Sequence, residues 1–299
     1  MALQVAFVMV NWNGMRHTLE CLRSLRADTY PDKQILVVDN GSTDGSVAAI
    51  QFEFPEVIVL QNGANLGATG GNNAGIRYAL ETLAANYVLL LNNDTVVEAD
   101  SVTYLMAAAA ALPDIGAFTP VIHSFDNPEK VWMSATSLDM SRGLALHDNR
   151  RIPRRDEAPF TITWISACGM LIRAEALRRV GLFDERYFII WDDVDLSLRI
   201  ADGGYGFAVV PASRIYHKVS SSFGGLTANY WYYQVRNNLL CASVHCGNAY
   251  PQARRHIIRE YMRVCRHHIQ GRGLGFNPIP PTYAAFRDHQ RRRYGKRGG

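Results

Sequence analysis

The chain has 299 residues, of which 48% are hydrophobic and 19% charged, and its formal net charge is +4 at pH 7. This is the composition of a folded globular protein, which excludes a disordered or low-complexity chain. A chain of this length buries roughly 75% of its unfolded surface, so we expect one large domain with an appendage.

The cysteines and the apolar runs indicate the compartment. The five cysteines form an odd set without a CxxC pair, which predicts neither a disulfide framework nor a zinc ribbon and favours a reducing compartment. The apolar run at residues 5–10 lacks a basic leader and a cleavage site, so we interpret it as a buried strand rather than a signal peptide. No apolar stretch reaches the roughly 18 residues that span a bilayer. We expect a cytoplasmic protein whose membrane contact, if any, is peripheral at the inner face of the cell membrane.

The first third of the chain alternates apolar runs with helical segments. The runs lie at residues 5–10, 35–39, 57–60 and 87–94, and the helical segments at 18–26, 45–52 and 73–84. Fully apolar strands separated by helices predict an α/β fold with a mostly parallel sheet covered on both faces. Ligands bind such sheets beyond the carboxyl ends of the strands, where the sequences NWNG, DNGSTDGS and NNDT occur. We expect one crevice to collect these polar clusters.

The rest of the chain is less regular at first and then helical. Residues 118–155 contain short strand-like pieces and a basic loop that includes Arg150 and Arg151. A helix is predicted at 174–180 and another from about Val194. Beyond Phe223 the chain is helical, and at 254–269 apolar and arginine residues interleave at helical spacing, which predicts a basic amphipathic extension. We place the domain boundary between residues 225 and 226, so that residues 226–299 form the extension.

Asp39 ends the second strand and enters the turn that contains Ser42. A carboxylate only accepts hydrogen bonds, so Asp39 suits a base with a ring N–H, such as uracil, thymine or guanine. Trp12, after the first strand, is a candidate for stacking on that base. The alternative is that Asp39 and Ser42 only satisfy the backbone groups of the turn.

A stretch rich in glycine and asparagine, residues 65–75, is interpreted as a loop leading into a helix. Glycines let backbone N–H groups approach a diphosphate, and a helix start adds a favourable dipole. The stretch follows the third strand, whereas the dinucleotide fingerprint follows the first, so that fingerprint is not matched.

Asn92, Asn93 and Asp94 close the most hydrophobic strand, which we expect to be central in the sheet. Polar groups there are costly without partners, which makes Asp94 a candidate ligand for a divalent cation on a diphosphate. The alternative is that Asp94 caps a helix over residues 97–111. His217, at the end of a later strand, is a candidate second ligand, although a lone histidine is more often an ordinary hydrogen-bonded residue.

The densest acidic cluster is Asp192, Asp193 and Asp195, next to Trp191. Acids are favoured in a first helical turn, and Asp195 forms an i,i+4 pair with Arg199, so part of the cluster needs no function. Three aspartates beside a tryptophan exceed what capping requires. One of them can act as general base on an acceptor hydroxyl while the tryptophan stacks on a sugar ring.

In this order, these motifs resemble those of the inverting glycosyltransferases with the GT-A fold, and most closely the rhamnosyltransferase-like branch. The family patterns VVDNGSxDGS, NxGxxxGxNxGI, LLLNxD, FDExFF and EDVDLxxR are similar to the sequence at residues 37–46, 65–76, 89–94, 183–188 and 192–199. The resemblance covers residues 5–223, about three quarters of the chain, and continues weakly through 232–240.

The resemblance implies a role for each matching residue. It implies that Asp193 is the catalytic base, that Asp94 and His217 hold Mg²⁺ or Mn²⁺, and that Asp192 helps to bind the acceptor. Further candidates for the acceptor site are Trp164 and Trp191. The expected donor site is formed by Val10, Trp12, Asn13, Asp39, Ser42, Asn65, Gly67, Gly71, Asn73 and Asn93.

Two departures from the family pattern matter for these roles. The metal motif often carries two aspartates, and its first position here is Asn92, so the cation is expected to bind more weakly or to depend more on His217. The glutamate of the Glu-Asp pair is Asp192, whose side chain is shorter.

The predicted reaction is a single displacement with inversion, in which sugar passes from a dTDP- or UDP-linked donor to a hydroxyl of a glycan or glycolipid during cell-surface polysaccharide synthesis. dTDP-L-rhamnose is the donor favoured by resemblance, and UDP-hexoses or UDP-N-acetylhexosamines are the alternative.

Two other classes of protein are weighed against this prediction. A sugar-phosphate nucleotidyltransferase would need a glycine-rich phosphate loop directly after the first strand, and the sequence NWNGMRH does not supply one. A nucleic-acid-binding protein acting through the arginine-rich C-terminal region is a remote alternative, because the acidic clusters favour an enzyme. For the extension, we favour docking on an anionic membrane where a lipid-linked acceptor would lie. The alternative is a solvated basic helix packed on the core, and a homodimer is left open.

Overall fold

The structure is a computed structural model that describes residues 4–148, 151–218, 227–271 and 275–298. Arg150, Phe223 and the expected domain boundary between residues 225 and 226 lie outside the described residues. The division into two domains therefore stays a prediction.

The strands follow the chain order. They are β1 (Val5–Asn11), β2 (Lys33–Asp39), β3 (Ile58–Gln61), β4 (Tyr87–Asn92), β5 (Thr95–Val97), β6 (Ile115–Ser124), β7 (Val131–Met133), β8 (Ala135–Asp139), β9 (Leu144–Asp148), β10 (Phe160–Ile162), β11 (Met170–Arg173) and β12 (Gly206–His217).

The helices are α1 (Met15–Ala27), α2 (Ser46–Glu53), α3 (Gly67–Glu81), α4 (Ser101–Ala111), α5 (Ala174–Val180), α6 (Asp192–Asp202), α7 (Ala228–His245), α8 (Tyr250–Ile269) and α9 (Ile279–Gln290). A short 3₁₀ turn, Gly247–Ala249, joins α7 to α8.

The main sheet has the strand order β10-β12-β6-β11-β4-β1-β2-β3. β1 runs parallel to β2 and β4, β2 to β3, and β12 to β6, while β11 is antiparallel to both of its neighbours. β8 and β9 form a separate hairpin. The predicted mostly parallel α/β sheet is confirmed, and β4 lies between β1 and β11, in the interior of the sheet as expected.

Alternate residues of β1 point into two different hydrophobic layers. Phe7 and Met9 pack with the apolar faces of α1, α2 and α4, whereas Ala6 and Val8 pack with α3, α5 and α6. Successive strand residues point to opposite faces, so a strand covered on both sides must be apolar throughout. This explains the uninterrupted apolar run that begins the chain.

α3 begins at Gly67, whereas the sequence predicted a loop up to Asn73. Glycine disfavours helix, but two glycines here let α3 lie very close to β1. A Cβ at Gly71 would lie 2.7 Å from Val10 Cγ1, and one at Gly75 would lie 2.3 Å from Val8 Cγ1. Close packing on the sheet therefore outweighs the weak helix propensity.

The C-terminal helices form a third hydrophobic layer. Trp231 and Tyr232 of α7 pack with Ile257 and Tyr261 of α8 and with Ala285 of α9. In the part of the chain that the structure describes, none of the helices has the length and hydropathy needed to cross a bilayer.

Candidate active site

The carboxyl ends of β1 and β2 meet at Asn11 and Asp39, which are paired in register. Asn11 Nδ2 donates to Asp39 Oδ1 at 2.9 Å and to Ser42 Oγ at 3.0 Å. Asp39 Oδ2 accepts the backbone N–H groups of Gly41 at 3.1 Å and Ser42 at 2.9 Å, and Asp39 is buried. The turn-stabilising role of Asp39 is thus present, while Oδ1 keeps a lone pair for a further donor. The contact of Asp39 with a base stays a prediction.

A second set of contacts ties the loop after β1 to the same turn. Asn13 Oδ1 accepts the N–H of Thr43 at 2.8 Å, and Ser42 Oγ accepts the N–H of Asn13 at 2.9 Å. Trp12 lies in the chain between Asn11 and Asn13, which are both hydrogen-bonded to Ser42, and it is 53% exposed. Its ring is therefore free to offer a face to a ligand at the ends of β1 and β2.

The glycine- and asparagine-rich residues are mostly engaged with the protein itself. Asn65 Oδ1 accepts the N–H of Gly67, and a Cβ at Gly67 would lie 2.2 Å from the carbonyl oxygen of Phe188. Asn73 is buried and exchanges two hydrogen bonds of 2.9 Å with the backbone of Phe183. Packing accounts for these residues without a ligand, and so it does for Gly71 beside Val10. The nucleotide-binding roles of these four residues and of Val10 remain predictions.

Asn93 connects the end of β4 to the end of β1. Its Nδ2 donates to Thr18 Oγ1 at 3.0 Å, and that hydroxyl donates to Asn11 Oδ1 at 2.7 Å. The predicted donor residues at the ends of β1, β2 and β4 thus share one network of hydrogen bonds.

Asp94 and His217 are neighbours, because β5 pairs with the end of β12 and sets Thr95 opposite His217. The Nε2 atom of His217 lies 3.1 Å from Asp94 Oδ1, and both residues are buried. Burial opposes protonation of His217, but Cys168 and the Asp94 carboxylate outweigh it and raise its pKa to about 10. The alternative in which Asp94 caps the following helix is wrong, because β5 separates it from α4.

The pair fits a divalent cation that displaces the Nε2 proton of His217, because only a neutral imidazole binds a metal. Neighbouring ligands of an octahedral cation with bonds of about 2.1 Å lie roughly 3 Å apart, close to the observed Nε2–Oδ1 distance of 3.1 Å. Within the described ranges, no group of three or more His, Cys, Asp or Glu side chains is arranged to hold a metal. A cation at this pair would therefore depend on oxygen ligands from a diphosphate and water.

The three aspartates at the start of α6 have different partners. Asp195 is bound by His245 Nε2 at 2.8 Å and by Arg199 at 2.9 Å, so the expected i,i+4 pair is confirmed. Asp192 Oδ2 accepts the hydroxyl of Thr69 at 2.9 Å. Asp193 is bound by backbone N–H groups, those of Val194 at 2.9 Å and Ala167 at 3.3 Å.

Burial and the nearby charge of Asp192 raise the pKa of Asp193 to about 7, against the opposing effect of its backbone hydrogen bonds. Burial also raises the pKa of Asp192. The pKa of Asp195 lies below its usual value, because His245 and Arg199 outweigh the effect of burial. A general base is most effective when its pKa is near the working pH, so Asp193 is the member of the cluster best suited to that role.

The aromatic residues expected to bind the acceptor are largely enclosed. Trp164 and Trp191 are 3% and 6% exposed and share a hydrophobic cluster with Tyr187 and Leu240. The indole N–H of Trp164 donates to the carbonyl oxygen of Ser137 at 3.2 Å. With Asp192 also buried, the acceptor-binding role of these residues stays a prediction.

The predicted catalytic and metal residues are linked through the segment before β11. Ala167 donates its N–H to Asp193, and Cys168, the next residue, lies within hydrogen-bonding reach of His217. His217 in turn contacts Asp94. Asp193 and the candidate metal pair thus flank the same short piece of backbone.

Four contact residues were not singled out from the sequence. They are Asn11 at the β1 end, Thr69 beside Asp192, Cys168 beside His217, and Asn237, which contacts the backbone before α6. For Asn237 the sequence offers a partial cue, three consecutive polar residues at 236–238 between Val235 and Leu239, but it gives no indication of the partners of this side chain.

Comparison with known proteins identifies the family to which this site belongs. The model of the family "Glycosyl transferase family 2" matches residues 7–181, more than half of the chain. The chain belongs to glycosyl transferase family 2. The resemblance noted from the sequence is thereby confirmed, and the protein is a glycosyltransferase.

The relatives of this family 2 glycosyltransferase include two bacterial enzymes of polysaccharide assembly. It is 31% identical to the N-acetylglucosaminyl-diphospho-decaprenol L-rhamnosyltransferase of Mycobacterium tuberculosis over 238 residues, 73% of this chain and 76% of that one. It is 24% identical to the poly-beta-1,6-N-acetyl-D-glucosamine synthase of Staphylococcus epidermidis, over 78% of this chain and 53% of that one. The chain therefore spans about half the length of the synthase.

Solved structures of low sequence identity share the fold. A structure of GalNAc-T7 with UDP, GalNAc and Mn²⁺ has a TM-score of 0.66 and 17% identity, covering 96% of this chain and 54% of that one. A structure of Staphylococcus aureus TarS 1–349 in complex with UDP-GlcNAc has a TM-score of 0.62 and 13% identity, covering 96% of this chain and 80% of that one. The predicted GT-A fold is confirmed.

Proposed function

We propose that this family 2 glycosyltransferase moves a sugar from a nucleotide-diphospho-sugar to a hydroxyl group of a glycan or glycolipid, with Asp193 as catalytic base. Asp193 takes the proton of the acceptor hydroxyl, whose oxygen then attacks the anomeric carbon from the face opposite the nucleotide diphosphate. The bond from the anomeric carbon to the diphosphate oxygen breaks, and the configuration inverts. Asp193 leaves the step protonated.

The observation that carries this proposal is the state of Asp193. Its carboxyl group is held by the N–H groups of Val194 and Ala167, and burial together with Asp192 raises its pKa to about 7. At neutral pH a large fraction is ionised and yet basic enough to accept a proton in the transition state. His245 and Arg199 bind Asp195 and hold its pKa below the usual value, so Asp195 lacks this property.

Asp94 and His217 are proposed to hold a divalent cation. Their 3.1 Å separation suits two ligands of one ion, and two structures that share the fold were solved with Mn²⁺. When bound, such a cation neutralises negative charge on the departing diphosphate. Both Mg²⁺ and Mn²⁺ are candidates for this ion.

For the donor, we propose a dTDP- or UDP-linked sugar, with dTDP-L-rhamnose favoured. One support is the carboxylate of Asp39, which suits a base with a ring N–H and contacts Asn11, the residue before the exposed Trp12. The other is the rhamnosyltransferase among the relatives. The alternative is a UDP-linked N-acetylhexosamine, supported by the fold shared with a structure holding UDP-GlcNAc.

The base assignment is tested with Asp193→Asn, which keeps the shape of the side chain and removes its basicity. We expect transfer to fall by roughly 10²–10⁴-fold while the nucleotide still binds, because the donor residues lie on other elements. The control is Asp202→Asn at the exposed end of the same helix. Transfer at the wild-type rate by Asp193→Asn would remove the assignment.

The donor is identified by a thermal-shift panel of dTDP-L-rhamnose, UDP-hexoses and UDP-N-acetylhexosamines with Mn²⁺ or Mg²⁺. A donor that binds only the folded protein stabilises it by about 2.7 kcal/mol at one hundred times its Kd. Asp94→Asn should remove the metal-dependent part of the shift. An unchanged response of this variant to metal would contradict the cation site.

We further propose that the exposed face of α8 docks on an anionic membrane, where a lipid-linked acceptor would lie. The buried face of α8 is formed by Ala253, Ile257, Tyr261 and Cys265, whereas the opposite face exposes Arg255, Arg259, Arg263 and Arg266. Among the residues of this helix Glu260 is the single acid, and it pairs with Arg263 at 2.7 Å. Each basic residue near an anionic bilayer contributes about 1 kcal/mol. The diphospho-decaprenol in the name of the mycobacterial relative agrees with a lipid-linked acceptor.

A further inference from the structure

The backbone just before the catalytic helix adopts a conformation that its side chains disfavour. In this segment, residues 187–191, the φ angles of Phe188, Ile190 and Trp191 are +66°, +68° and +71°. Bulky and β-branched residues rarely adopt positive φ. Such a conformation persists only where the surroundings hold it. Asp193 follows Trp191 by two residues, so its placement depends on whatever holds this segment.

Asn237 of α7 binds the segment directly. Its Nδ2 donates to the carbonyl oxygens of Tyr187 at 3.0 Å, Ile189 at 2.7 Å and Ile190 at 2.8 Å. The side chain of Asn237 is fully buried. Two N–H groups thus serve three carbonyl oxygens, and a buried apolar side chain of the same size would leave all three without this donor.

Arg236 fixes the orientation of that amide and adds contacts of its own. Its Nε donates to Asn237 Oδ1 at 2.9 Å, which directs the Nδ2 group towards the segment. Its Nη2 donates to the carbonyl oxygens of Arg186 at 3.1 Å and Tyr187 at 3.0 Å. Arg236 is 1% exposed, so these bonds do not compete with water.

α3 contacts the segment from a second direction. The N–H of Thr69 donates to the carbonyl oxygen of Phe188 at 3.2 Å, and its hydroxyl donates to Asp192 Oδ2 at 2.9 Å. The segment is therefore held by two helices, α3 and α7, that are distant in sequence. Among the described residues, only Asn237 of α7 donates from a side-chain amide to the carbonyl groups of residues 187, 189 and 190.

We propose that Asn237, oriented by Arg236, is a positioning residue: it holds residues 187–191 so that Asp193 faces the acceptor hydroxyl. The proposal rests on the proposed function, in which Asp193 is the base. Asn237 acts through the backbone and does not touch the substrate. A purely structural role would instead make it one buried contact among many, which affects folding stability and leaves the rate of the folded enzyme unchanged.

Asn238 provides the matched control. It is the next residue on the same helix, is also buried, and its Nδ2 donates to the hydroxyl of Tyr261 on α8 at 3.2 Å. Its side chain makes no hydrogen bond to residues 187–191. Asn237→Ala and Asn238→Ala thus remove the same group from adjacent buried positions, and only the first removes contacts to the catalytic segment.

The experiment measures kcat, KM for the donor and binding of UDP or dTDP for both variants, at a temperature where both are folded. For Asn237→Ala we expect kcat to fall by about 10²-fold, with nucleotide binding within about twofold of wild type. Asn238→Ala should keep kcat even if its Tm falls by a similar amount. Asn237→Asp keeps the size and the acceptor for Arg236 but loses the donor, and should lose kcat in the same way if Asn237→Ala does not fold.

Equal kcat values for the variants at positions 237 and 238 would overturn the proposal. Asp193→Asn is measured in the same series to separate the two hypotheses. If it is inactive while Asn237→Ala and Asn237→Asp retain full kcat, only the positioning role fails. If Asp193→Asn itself keeps wild-type kcat, the base assignment fails and the positioning role falls with it.

Discussion

At the scale of single residues, neighbouring carboxylates of one helical turn acquire different properties from their partners. Asp195 is bound by a histidine and an arginine, Asp192 by a hydroxyl, and Asp193 by backbone N–H groups. The hydrogen bond from His245 and the charge of Arg199 lower the pKa of Asp195 against the effect of burial, whereas burial and a nearby carboxylate raise the pKa of Asp193 to about 7. Sequence alone groups these acids together, and contacts across the fold distinguish them.

The raised pKa of Asp193 predicts how the rate depends on pH. The base must be ionised, so kcat/KM should fall about tenfold per pH unit below pH 7 and level off above it. The groups that face Asp193 are Asp192 on the same helix and Tyr230 and Cys241 on α7. The measurement is kcat/KM between pH 5 and pH 9 with a stable buffer series. A profile that stays flat down to pH 5 would exclude Asp193 as the base.

The same shift predicts a change in stability with a definite sign. The ordinary pKa of an aspartate is about 4, so the folded protein binds the proton of Asp193 more tightly than the unfolded chain. This contribution to stability is present below about pH 4 and is lost as the pH rises towards 7. Asp193→Asn has no carboxylate at this position and does not lose stability in this way as the pH rises. The difference in Tm, variant minus wild type, should therefore be larger at pH 8 than at pH 5. Equal Tm differences at the two pH values would contradict a raised pKa.

At the scale of secondary-structure elements, the close approach of α3 to β1 brings several candidate residues together. Gly75 meets Val8 at this contact, and a Cβ there would lie 2.3 Å from Val8 Cγ1. Overpacking of this kind costs about 1–3 kcal/mol, more than the roughly 1 kcal/mol that alanine gains over glycine in a helix. Gly75→Ala should therefore lower Tm by a few degrees, as measured by calorimetry.

Gly275→Ala is the control for this substitution, because nothing lies within 4 Å of a Cβ at that position. Its Tm should stay close to that of wild type, since such surface changes are usually within about 0.5 kcal/mol. If Gly75→Ala were as stable as Gly275→Ala, α3 would not be packed on β1 as tightly as described.

The sequence predicted the elements whose signals are local. The apolar runs of β1, β2 and β4, the helix Ala174–Val180 and the placement of Asp39 and Asp94 at strand ends all follow from residues within a few positions of one another. The predicted start of α3 was wrong, because glycine disfavours helix locally. The packing of Gly71 and Gly75 against β1, which favours the helix here, is not visible in the local sequence. The bonds from Asn237 to residues 187–190 join segments about 50 positions apart and have no local signal.

At the scale of the whole molecule, the positive charge is concentrated on the C-terminal helices. We predict that the protein co-sediments with anionic vesicles and that Arg255→Glu combined with Arg259→Glu weakens this binding at least tenfold, because each lost basic residue removes about 1 kcal/mol. Binding should decrease as salt rises from 50 to 300 mM (about 14 to 6 Å in Debye length). Vesicles of neutral lipid are the control.

Two outcomes would count against membrane docking. Wild-type protein that stays in solution with anionic vesicles would exclude it, and so would equal sedimentation of wild type and the double variant. Substitutions on the exposed face are preferable to deletion of α8, since Ile257 and Tyr261 on its other face belong to the hydrophobic layer that includes α7. A competing DNA duplex tests the remote nucleic-acid alternative in the same assay.

Gly295 lies far along the chain from the acidic cluster, yet its N–H binds the carbonyl oxygen of Arg186 at 2.7 Å and its own carbonyl oxygen accepts Arg236 Nη1 at 2.7 Å. During translation, the turn that leads to Asp193 leaves the ribosome well before these partners are made. The nascent chain therefore cannot complete the contacts around this turn until residue 295 has emerged. A purification tag inserted close behind residue 295 would lie against these contacts, so a tag placed away from them is the safer choice for activity measurements.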